Sequence, residues 1–333
     1  MELTEDQLIA AIRRVLSGEQ QGVVVGIGDD AAVVAPGSGE QVLTTDMLIE
    51  GVHFERRTIS ARDLGAKSIV VNVSDIAAMA ASPRYALAAI GLTSDVDVAW
   101  VVELYGGMRA ACEEYALSLV GGDTNRADRI VVSVTVVGEV SPGRAVGRSG
   151  AQPGDIIVVT GSLGAAAGGL ALSRARPAKV AEALSRPWGR PLLDALVRPV
   201  ARVGEGQTLA QAGVTAMMDL SDGLAKDLSR LCLESGVGAR IERAKVPVSP
   251  ALLDGADVLG VDAPELAVSG GEDYELLATI DLTDVERARE ELDERFGVTL
   301  TEVGVITESK ELVAVDAGGR TGALEPRGWD HFG

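Results

Sequence analysis

The sequence AKSIVVNVSDIAAMAASP, residues 66–83, is the strongest helical signal in the chain and the starting point for its architecture. Small and apolar residues fill the pattern from Ala61 to Ala80 at helical spacing. The helix is expected to end by Ser82-Pro83, because the residue before a proline disfavours helical backbone. Asp75 lies in this helical stretch as the end of Asn72-Val73-Ser74-Asp75, and an acid in such surroundings needs an explanation beyond solvation.

Strand and helix signals alternate on both sides of this helix. Upstream, the pattern predicts an amphipathic helix from Leu8 to Leu16, introduced by a capping box at Thr4-Glu5-Asp6-Gln7. The other elements predicted in the first half of the chain are strands at Val23–Ile27, Gln41–Thr45, Tyr85–Leu92 and Ile130–Val137, and a helix at Val96–Tyr115.

A turn-rich segment from Arg148 to Asp155, RSGAQPGD, marks the best candidate for a domain boundary. After it, Ile156–Thr160 is predicted to be a strand and Leu163–Leu172 a helix. At 333 residues the chain is long enough for two domains, predicted as residues 1–147 and 148–333. Alternating β and α elements make each half α/β or α+β.

Composition and charge exclude several classes of protein. A formal net charge of −19 disfavours nucleic acid and anionic membranes as partners. No apolar run is suited to spanning a bilayer, and the N-terminal MELTEDQLIA does not resemble a signal peptide, so a cytoplasmic protein is expected. Two cysteines and two histidines make a disulfide framework or a structural zinc site improbable.

Aspartates beside glycine or small polar residues recur along the chain, each interpreted as the end of a strand or a loop. The motifs are Gly26-Ile27-Gly28-Asp29-Asp30, Thr44-Thr45-Asp46, Gly121-Gly122-Asp123-Thr124-Asn125 and Met218-Asp219-Leu220-Ser221-Asp222-Gly223. Glycine allows close backbone approach, and aspartate supplies the oxygen ligands that Mg²⁺ prefers. Several converging aspartates would repel one another without cations between them, which favours more than one Mg²⁺. Any one motif alone is equally typical of a turn.

No known phosphate-binding motif accompanies these acids. The sequence has neither a GxxxxGK[ST] loop nor the set of motifs found in protein kinases. Metal ions and glycine backbone amides would therefore neutralise most of the charge on a bound nucleotide. Arg148 is the best-placed basic side chain, with a plain surface arginine as the alternative.

Three further elements are candidates for substrate contact. Ser269-Gly270-Gly271-Glu272-Asp273 precedes a predicted strand and suits a substrate loop, although a β-turn is the simpler interpretation. His53 lies beside Phe54, and a lone histidine next to an aromatic is more often packed than functional. Trp329 either fixes the C-terminal segment or stacks on a flat ligand.

Taken together, these motifs resemble the thiamine-monophosphate kinases, within the superfamily named for aminoimidazole ribonucleotide synthetase. The matching strings are GIGDDAAVV, TTDMLIEGVHF, AKSIVVNVSDIAAMAASP, GGDTNRAD, GRSGAQPGD, MDLSDGL, SGGEDYEL and GWDHF, in order from residue 26 to residue 332. Within the superfamily, GVHF and SGGEDYEL are the discriminating elements.

The resemblance implies that the sheet of the N-terminal domain pairs with that of a second subunit in a homodimer, and that ATP binds in a cleft between the two domains. It also implies direct transfer of the γ-phosphate of ATP to thiamine phosphate. The metal ligands implied are Asp30, Thr44, Thr45, Asp46, Asp75, Asp123, Asp219 and Asp222. The implied ATP contacts are Tyr105, Gly122, Asp123, Arg148 and Ser221, and the implied substrate contacts are His53, Glu272 and Trp329.

The chemistry of such a transfer fits this composition. The acceptor is already a phosphate, so no strong general base is needed, and the task is to bring two anions together in line. Mg²⁺ ions held by aspartates would reduce that repulsion. Asp46 and Asp123 are predicted to be the most critical catalytic residues.

Other functions remain open at this stage. A selenophosphate synthetase would carry a reactive residue near its N-terminus, and a hydrogenase maturation factor of this fold would end in cysteine. Aminoimidazole ribonucleotide synthetase itself would lack the GVHF and SGGEDYEL combination. Alternatives of other classes are a non-catalytic metal- or nucleotide-binding protein and a purely structural acidic protein.

Overall fold

The structure is a computed structural model that describes residues 5–16, 18, 21–27 and 31–329 of the chain. These residues form two compact units. One unit is Met1–Ile76 with Ala81–Gly143, and the other is Ala77–Ala80 with Arg144–Gly333. No helix in the part of the chain that is described is long and apolar enough to cross a membrane.

The first unit carries a four-stranded sheet in the order β3-β6-β4-β5. Only β4 and β5 are parallel among these neighbours. The elements are α1 (Glu5–Val15), β1 (Val23–Val25), β2 (Val33–Val34), β3 (Glu40–Ile49), α2 (Ala61–Ala78), β4 (Ser82–Leu92), α3 (Val98–Glu114), β5 (Ser118–Arg126) and β6 (Val131–Val140).

Exposure alternates from residue to residue along the strands of this sheet, which shows that one face of the sheet lies in the core. In β6, Val132, Val134 and Val136 are fully buried, as expected for the inward side of a strand with a two-residue period. Helices α2 and α3 cross closely, because glycines remove the side chains at the crossing. A Cβ added at Gly65 would lie 1.9 Å from the carbonyl oxygen of Leu104.

The second unit is built on a seven-stranded sheet in the order β13-β12-β9-β11-β7-β10-β8. Its strands are β7 (Ile156–Thr160), β8 (Ala216–Asp219), β9 (Gly238–Glu242), β10 (Leu276–Ile280), β11 (Leu300–Thr307), β12 (Leu312–Val315) and β13 (Thr321–Ala323). Its helices are α4 (Ala165–Ser173), α5 (Pro177–Leu184), α6 (Gly189–Val197), α7 (Val203–Ala212), α8 (Leu224–Ser235), α9 (Pro250–Leu259), α10 (Ala263–Ser269) and α11 (Val285–Phe296).

Both faces of the seven-stranded sheet are covered. In β7, Ile157 and Val159 belong to one apolar cluster and Val158 to another, so successive side chains enter cores on opposite faces. This explains why β7 and β10 are almost uniformly apolar, since a strand covered on both sides needs no polar face.

The predicted elements around residues 66–83 are confirmed, including the end of α2 before Pro83 and the strand and helix that follow. One prediction about the acidic motifs is wrong. Strand β3 continues through Asp46 to Ile49, and β5 contains Asp123, so these aspartates lie inside strands and not at strand ends. Among the motif aspartates that the structure describes, Asp219 is the one that ends its strand as predicted. The Thr4 capping position lies outside the described residues.

Candidate active site

An acidic pair in the first unit lies between β3 and α2. The Thr44 hydroxyl donates to Oδ2 of Asp75 at 2.5 Å, which brings the strand and the helix together at this point. Asp46 follows on the same face of β3, because residues two apart share a face. Burial and, to a smaller extent, the nearby charge of Asp75 raise the pKa of Asp46 to about 6.

Thr45 lies on the opposite face of β3 from Thr44 and Asp46. Its hydroxyl donates to the carbonyl oxygen of Val134 at 3.1 Å and accepts from the Thr135 hydroxyl at 3.0 Å. Of the three neighbouring residues predicted to bind metal, the structure therefore brings only the side chains of Thr44 and Asp46 to the side of Asp75. The alternation of a regular strand makes this separation unavoidable.

A second polar group of the first unit surrounds Asp123 on β5. The Asn125 amide donates to Oδ2 of Asp123 at 2.5 Å. The phenol of Tyr105 reaches from α3 to this strand, where it hydrogen-bonds the side chain of Thr124. Burial raises the pKa of the Tyr105 phenol to about 12. Gly122 is required locally, since a Cβ there would lie 1.9 Å from the carbonyl oxygen of Ala88.

His53 lies in the turn that follows β3. The backbone N–H of Ile49 donates to its Nδ1 at 3.0 Å. Because Nδ1 accepts a hydrogen bond, the neutral imidazole carries its proton on Nε2. The residue is partly buried, and the backbone of β3 holds its ring through Nδ1.

In the second unit, two loops that carry predicted site residues are joined by backbone hydrogen bonds. Glu272 N–H donates to the carbonyl of Ser221 at 2.8 Å, and Tyr274 N–H donates to that of Leu220 at 2.9 Å. In the reverse direction, Leu220 N–H donates to the carbonyl of Glu275 at 2.8 Å. These bonds extend the pairing of β8 with β10 past Asp219 and hold Glu272 beside Ser221.

The C-terminal segment joins the same group of residues. Trp329 N–H donates to the carbonyl of Asp222 at 3.1 Å, and Lys226 Nζ donates to the carbonyl of Trp329. The tryptophan is 41% exposed. Both interpretations of this residue are therefore compatible with the structure: its backbone fixes the segment, and its ring is accessible for stacking.

Asp222 is flanked by basic side chains of its own unit. Arg230 lies 2.6 Å and Lys226 3.6 Å from Oδ2 of Asp222. These contacts distinguish Asp222 from Asp46, whose nearest charged neighbour is another acid. They make Asp222 the metal ligand with the weakest support among the predicted aspartates that the structure describes.

Asp227 is a buried carboxylate that the sequence motifs did not single out. Its Oδ2 accepts from the backbone N–H groups of Asp222 and Gly223, both at 3.0 Å, and its Oδ1 accepts from Arg230 at 3.0 Å. Burial raises its pKa to about 6. An acid in the first turn of a helix that follows Asp-Gly is a capping signal, and that signal was available in the sequence.

The Glu272 loop has an unusual backbone conformation. Glu272 and Tyr274 have positive φ angles of 68° and 51°, a region that costs a residue with a side chain roughly 1–2 kcal/mol. Between them, the carboxylate of Asp273 accepts from Gly164 N–H at 2.8 Å. Burial raises the pKa of Asp273 to about 8. The contact of Asp273 with Gly164 helps to hold the loop in this strained conformation.

The Arg148 side chain is exposed, and the backbone of this residue makes a contact that stabilises the fold. Its carbonyl accepts from the Ser235 hydroxyl at 3.0 Å, a bond that ties the chain just before β7 to the end of α8. The basic residues that the second unit places beside its predicted site residues are Lys226 and Arg230. The sequence motifs had singled out Arg148 as the best-placed basic side chain.

The chemistry of the donor set bears on metal binding. Within residues 5–16, 18, 21–27 and 31–329, no three histidine, cysteine or acidic side chains are grouped closely enough to hold a metal by themselves. The pair Asp46 and Asp75 nevertheless fits a cation, because burial and mutual repulsion already disfavour their shared negative charge. Asp30, which the sequence analysis assigned to the same set, lies outside the described residues.

The structure thus assembles the predicted residues in three groups, two in the first unit and one in the second. The first unit brings Thr44, Asp46 and Asp75 together and, separately, Tyr105 and Asp123. The second unit joins the segments that carry Asp219, Ser221, Asp222, Glu272 and Trp329. A protein with acid pairs on regular elements in one unit and a strained glycine-acid loop in the other has the features of a phosphate-handling enzyme.

Comparison with known proteins agrees with this class. Family models described as AIR synthase related protein match the chain, the N-terminal domain over residues 28–140 and the C-terminal domain over residues 152–317. The thiamine-monophosphate kinase of Aquifex aeolicus is 38% identical over 331 residues, covering 99% of each chain. The chain therefore belongs to the thiamine-monophosphate kinase family of AIR synthase related proteins.

Solved structures support the same relationship. A crystal structure of thiamine-monophosphate kinase from Stenotrophomonas maltophilia K279a superposes with a TM-score of 0.79 at 36% identity, covering 94% of this chain and 97% of that one. A structure of AaThiL complexed with AMPPCP and TMP gives a TM-score of 0.76 at 35% identity, covering 99% and 98%. The mixed α/β, AIR synthase-like fold expected from the motifs is confirmed.

Proposed function

We propose that this protein transfers the γ-phosphoryl group of ATP to thiamine phosphate. An oxygen of the thiamine phosphate forms a new bond to the γ-phosphorus. The bond from that phosphorus to the oxygen bridging the β- and γ-phosphates breaks, and ADP leaves with the electron pair. The products are thiamine diphosphate and ADP, with no phosphorylated enzyme between them.

The observation that carries this proposal is the hydrogen-bonded group of segments in the second unit. Glu272, Ser221 and Trp329 are the residues to which the resemblance gives roles toward substrate and ATP. Backbone bonds of 2.8–3.1 Å join the three segments. The family relationship gives the group its chemical meaning, because a relative binds AMPPCP, an ATP analogue, together with TMP.

The reaction requires little acid–base chemistry from the protein. The acceptor phosphate is largely ionised near neutral pH, since its second pKa is about 6. Orientation and charge neutralisation are therefore the main contributions. The Thr44 hydroxyl orients Asp75 and the Asn125 amide orients Asp123, so both carboxylates are fixed before any ligand binds.

Mg²⁺ is the cation we propose for the acidic side chains. Asp46 and Asp75 have the strongest support, because they lie together between β3 and α2. The rest of the proposed set is Asp30, Thr44, Thr45, Asp123, Asp219 and Asp222, and the strand register puts the Asp123 side chain on the same sheet face as that of Thr45. When bound, Mg²⁺ neutralises phosphate charge and polarises phosphoryl oxygens. Thr45 can contribute to this set only through its backbone, given the position of its hydroxyl.

We assign distinct roles to the remaining residues. Tyr105, Gly122, Arg148 and Ser221 are proposed to contact ATP, and His53, Glu272 and Trp329 to contact thiamine phosphate. The first unit, near residues 1–147, would hold metal and ATP and make the subunit contact, and the second, near residues 148–333, would complete the ATP and substrate contacts.

We further propose that the protein is a homodimer that acts in the cytoplasm. On the sheet face of the first unit away from the core, Leu43, Met47 and Leu87 are 65%, 50% and 43% exposed. Apolar side chains aligned on one sheet face favour a protein partner, and a second copy is the partner that the resemblance implies. Light scattering of the wild type and of Met47→Lys tests this, and a wild-type monomer would contradict it.

A mass-spectrometric assay with ATP, Mg²⁺ and thiamine phosphate tests the reaction. Thiamine diphosphate is expected to form in equal amount with ADP, and only when the metal is present. ATP consumption with another phosphate acceptor, and none with thiamine phosphate, would overturn the substrate assignment. A protein that binds ATP but turns over no acceptor would overturn the proposal of catalysis.

A further inference from the structure

A buried ion pair at the end of the Glu272 loop has no role in the mechanism described so far. Glu275 follows the loop and immediately precedes β10, and its side chain is 9% exposed. The guanidinium of Arg202 donates to both of its carboxylate oxygens, with Nε–Oε2 at 2.8 Å and Nη2–Oε1 at 2.5 Å. Such two-point contacts fix direction as well as distance.

Two more contacts complete this arrangement, which we call the Arg202–Glu275 clamp. The Thr160 hydroxyl, at the end of β7, donates to Oε2 of Glu275 at 2.7 Å and accepts from Leu276 N–H at 2.8 Å. Gly161 leaves room for the carboxylate, because a Cβ there would lie 2.1 Å from Oε1 of Glu275. The adjacent strand thus holds both the side chain of Glu275 and the backbone after it.

The clamp matters because the loop before it is strained. Glu272 and Tyr274 both have positive φ angles, a conformation that persists only where the surroundings enforce it. Asp273 is held from one side by Gly164 N–H, and Glu275 from the other by Arg202. Because the side chains of residues 273 and 275 are both held, the backbone of the loop that carries Glu272 is fixed.

We infer that Arg202 is a positioning residue that, through Glu275, holds Glu272 in the conformation that recognises thiamine phosphate. This inference rests on the proposed function, in which Glu272 contacts that substrate. Arg202 does not itself contact the reacting atoms. The segment containing Ser221 has a further support besides its bonds to the Glu272 loop, because Asp227 accepts from the two N–H groups that follow Ser221. Loss of the clamp should therefore affect the acceptor more than ATP.

The test compares Arg202→Met with wild type and with Arg289→Met. Arg289 makes an ion pair of 2.6 Å with Glu302 in the same unit, between α11 and β11, and serves as the matched control. In Arg202→Met, KM for thiamine phosphate should rise ~10- to 100-fold. KM for ATP should stay within about 3-fold of wild type, and Arg289→Met should change neither constant.

Hydrogen exchange of residues 269–275 gives a readout that does not depend on activity. This segment should exchange at least ~10-fold faster in Arg202→Met than in Arg289→Met. Unchanged exchange, or equal increases in both KM values, would overturn the inference. If Arg202→Met does not fold, Glu275→Gln serves in its place, since it weakens the same ion pair while keeping a hydrogen-bonding oxygen.

Failure of the proposed function has a different signature. If wild type does not convert thiamine phosphate, or if Glu272→Gln leaves KM for it unchanged, the substrate assignment is wrong whatever the clamp does. If Glu272→Gln raises that KM without changing exchange, while Arg202→Met changes neither, the substrate assignment holds and the role of the clamp is wrong.

Discussion

The two units hold their candidate site residues by different means. In the first, Asp46, Asp75 and Asp123 lie on β3, α2 and β5, regular elements whose backbone hydrogen bonds fix the position of each residue. In the second, Ser221, Asp222 and Glu272 lie on loops. Loop N–H groups lack a regular partner, and buried carboxylates supply one.

In the first unit, replacing an acid is therefore expected to lower activity without lowering stability. In the second unit, replacing a buried acid is expected to lower both. Removing an acid from the first unit removes a ligand together with an unfavourable charge. Removing a buried acid from the second leaves loop N–H groups without acceptors. Substitutions in each unit test this difference.

The largest effect is expected for Asp46→Asn. Turnover should fall at least ~100-fold because a proposed metal ligand is lost. The melting temperature should stay equal or rise, because the substitution removes a half-buried charge repelled by Asp75. Asp123→Asn should also lose activity while keeping its fold.

Steady-state kinetics and thermal unfolding of the same preparations provide the check. Asp95→Asn, which alters an exposed carboxylate paired with Arg56, is the control and should leave turnover unchanged. Parallel losses of stability and activity in Asp46→Asn would mean that the first unit uses its acids structurally, as the second does.

The next effect is a loss of stability in Asp227→Ala. The substitution leaves the N–H groups of Asp222 and Gly223 without their acceptor and Arg230 without one of its partners. The free energy of unfolding should fall by about 2–3 kcal/mol. Urea denaturation measures this, and Asp257→Ala, at an exposed position of α9, is the matched control. Equal stability of the two variants would show that the loop does not need its buried carboxylate.

The pH dependence of stability should reveal Asp273. Its pKa is raised by burial to about 8, from 3.8 for the ordinary group. Between these values the folded chain holds a proton that the unfolded chain does not, so this group's contribution to stability falls as pH rises toward 8. The slope is at most about 1.4 kcal/mol per pH unit.

Thermal unfolding of wild type and Asp273→Asn from pH 5 to pH 9 checks this prediction. The asparagine oxygen can still accept from Gly164 N–H, but it does not ionise. The difference in melting temperature should therefore shift in favour of the variant as pH rises. A constant difference across this range would mean that the carboxyl ionises normally in the folded protein.

The same contrast explains how far the sequence could be interpreted. Hydrophobic periodicity predicted α2, β7 and their neighbours, because regular elements are dictated by residues a few positions apart. Periodicity did not predict that the side chains of Thr45 and Asp46 lie on opposite faces of one strand. The predicted strand ended at Thr45, whereas β3 continues through Asp46.

The contacts of the second unit depend on longer distances in sequence. Arg202 meets Glu275 across 73 residues, and no local pattern encodes that pairing. Asp227 was more accessible to prediction, because it lies only four residues after Gly223 at the start of a helix. Loop geometry supported by distant side chains is the part of the site that sequence patterns describe least.

The smallest effect concerns the two cysteines, which provide one reporter in each unit. Cys112 and Cys232 are free and buried, and burial raises the pKa of each thiol to about 12. Neither should react with Ellman's reagent in the native protein at pH 8, since the thiolate is the reactive form.

In rising urea, the thiol reactivity of the Cys112→Ser variant reports opening of the second unit, and that of the Cys232→Ser variant reports opening of the first. Adding Asp227→Ala should advance labelling of Cys232 and leave Cys112 unchanged, because the lost contacts belong to α8 and the loop before it. If labelling of both cysteines shifts to lower urea concentration by the same amount, the two units unfold together. The difference between the units would then lie only in how each holds its site residues.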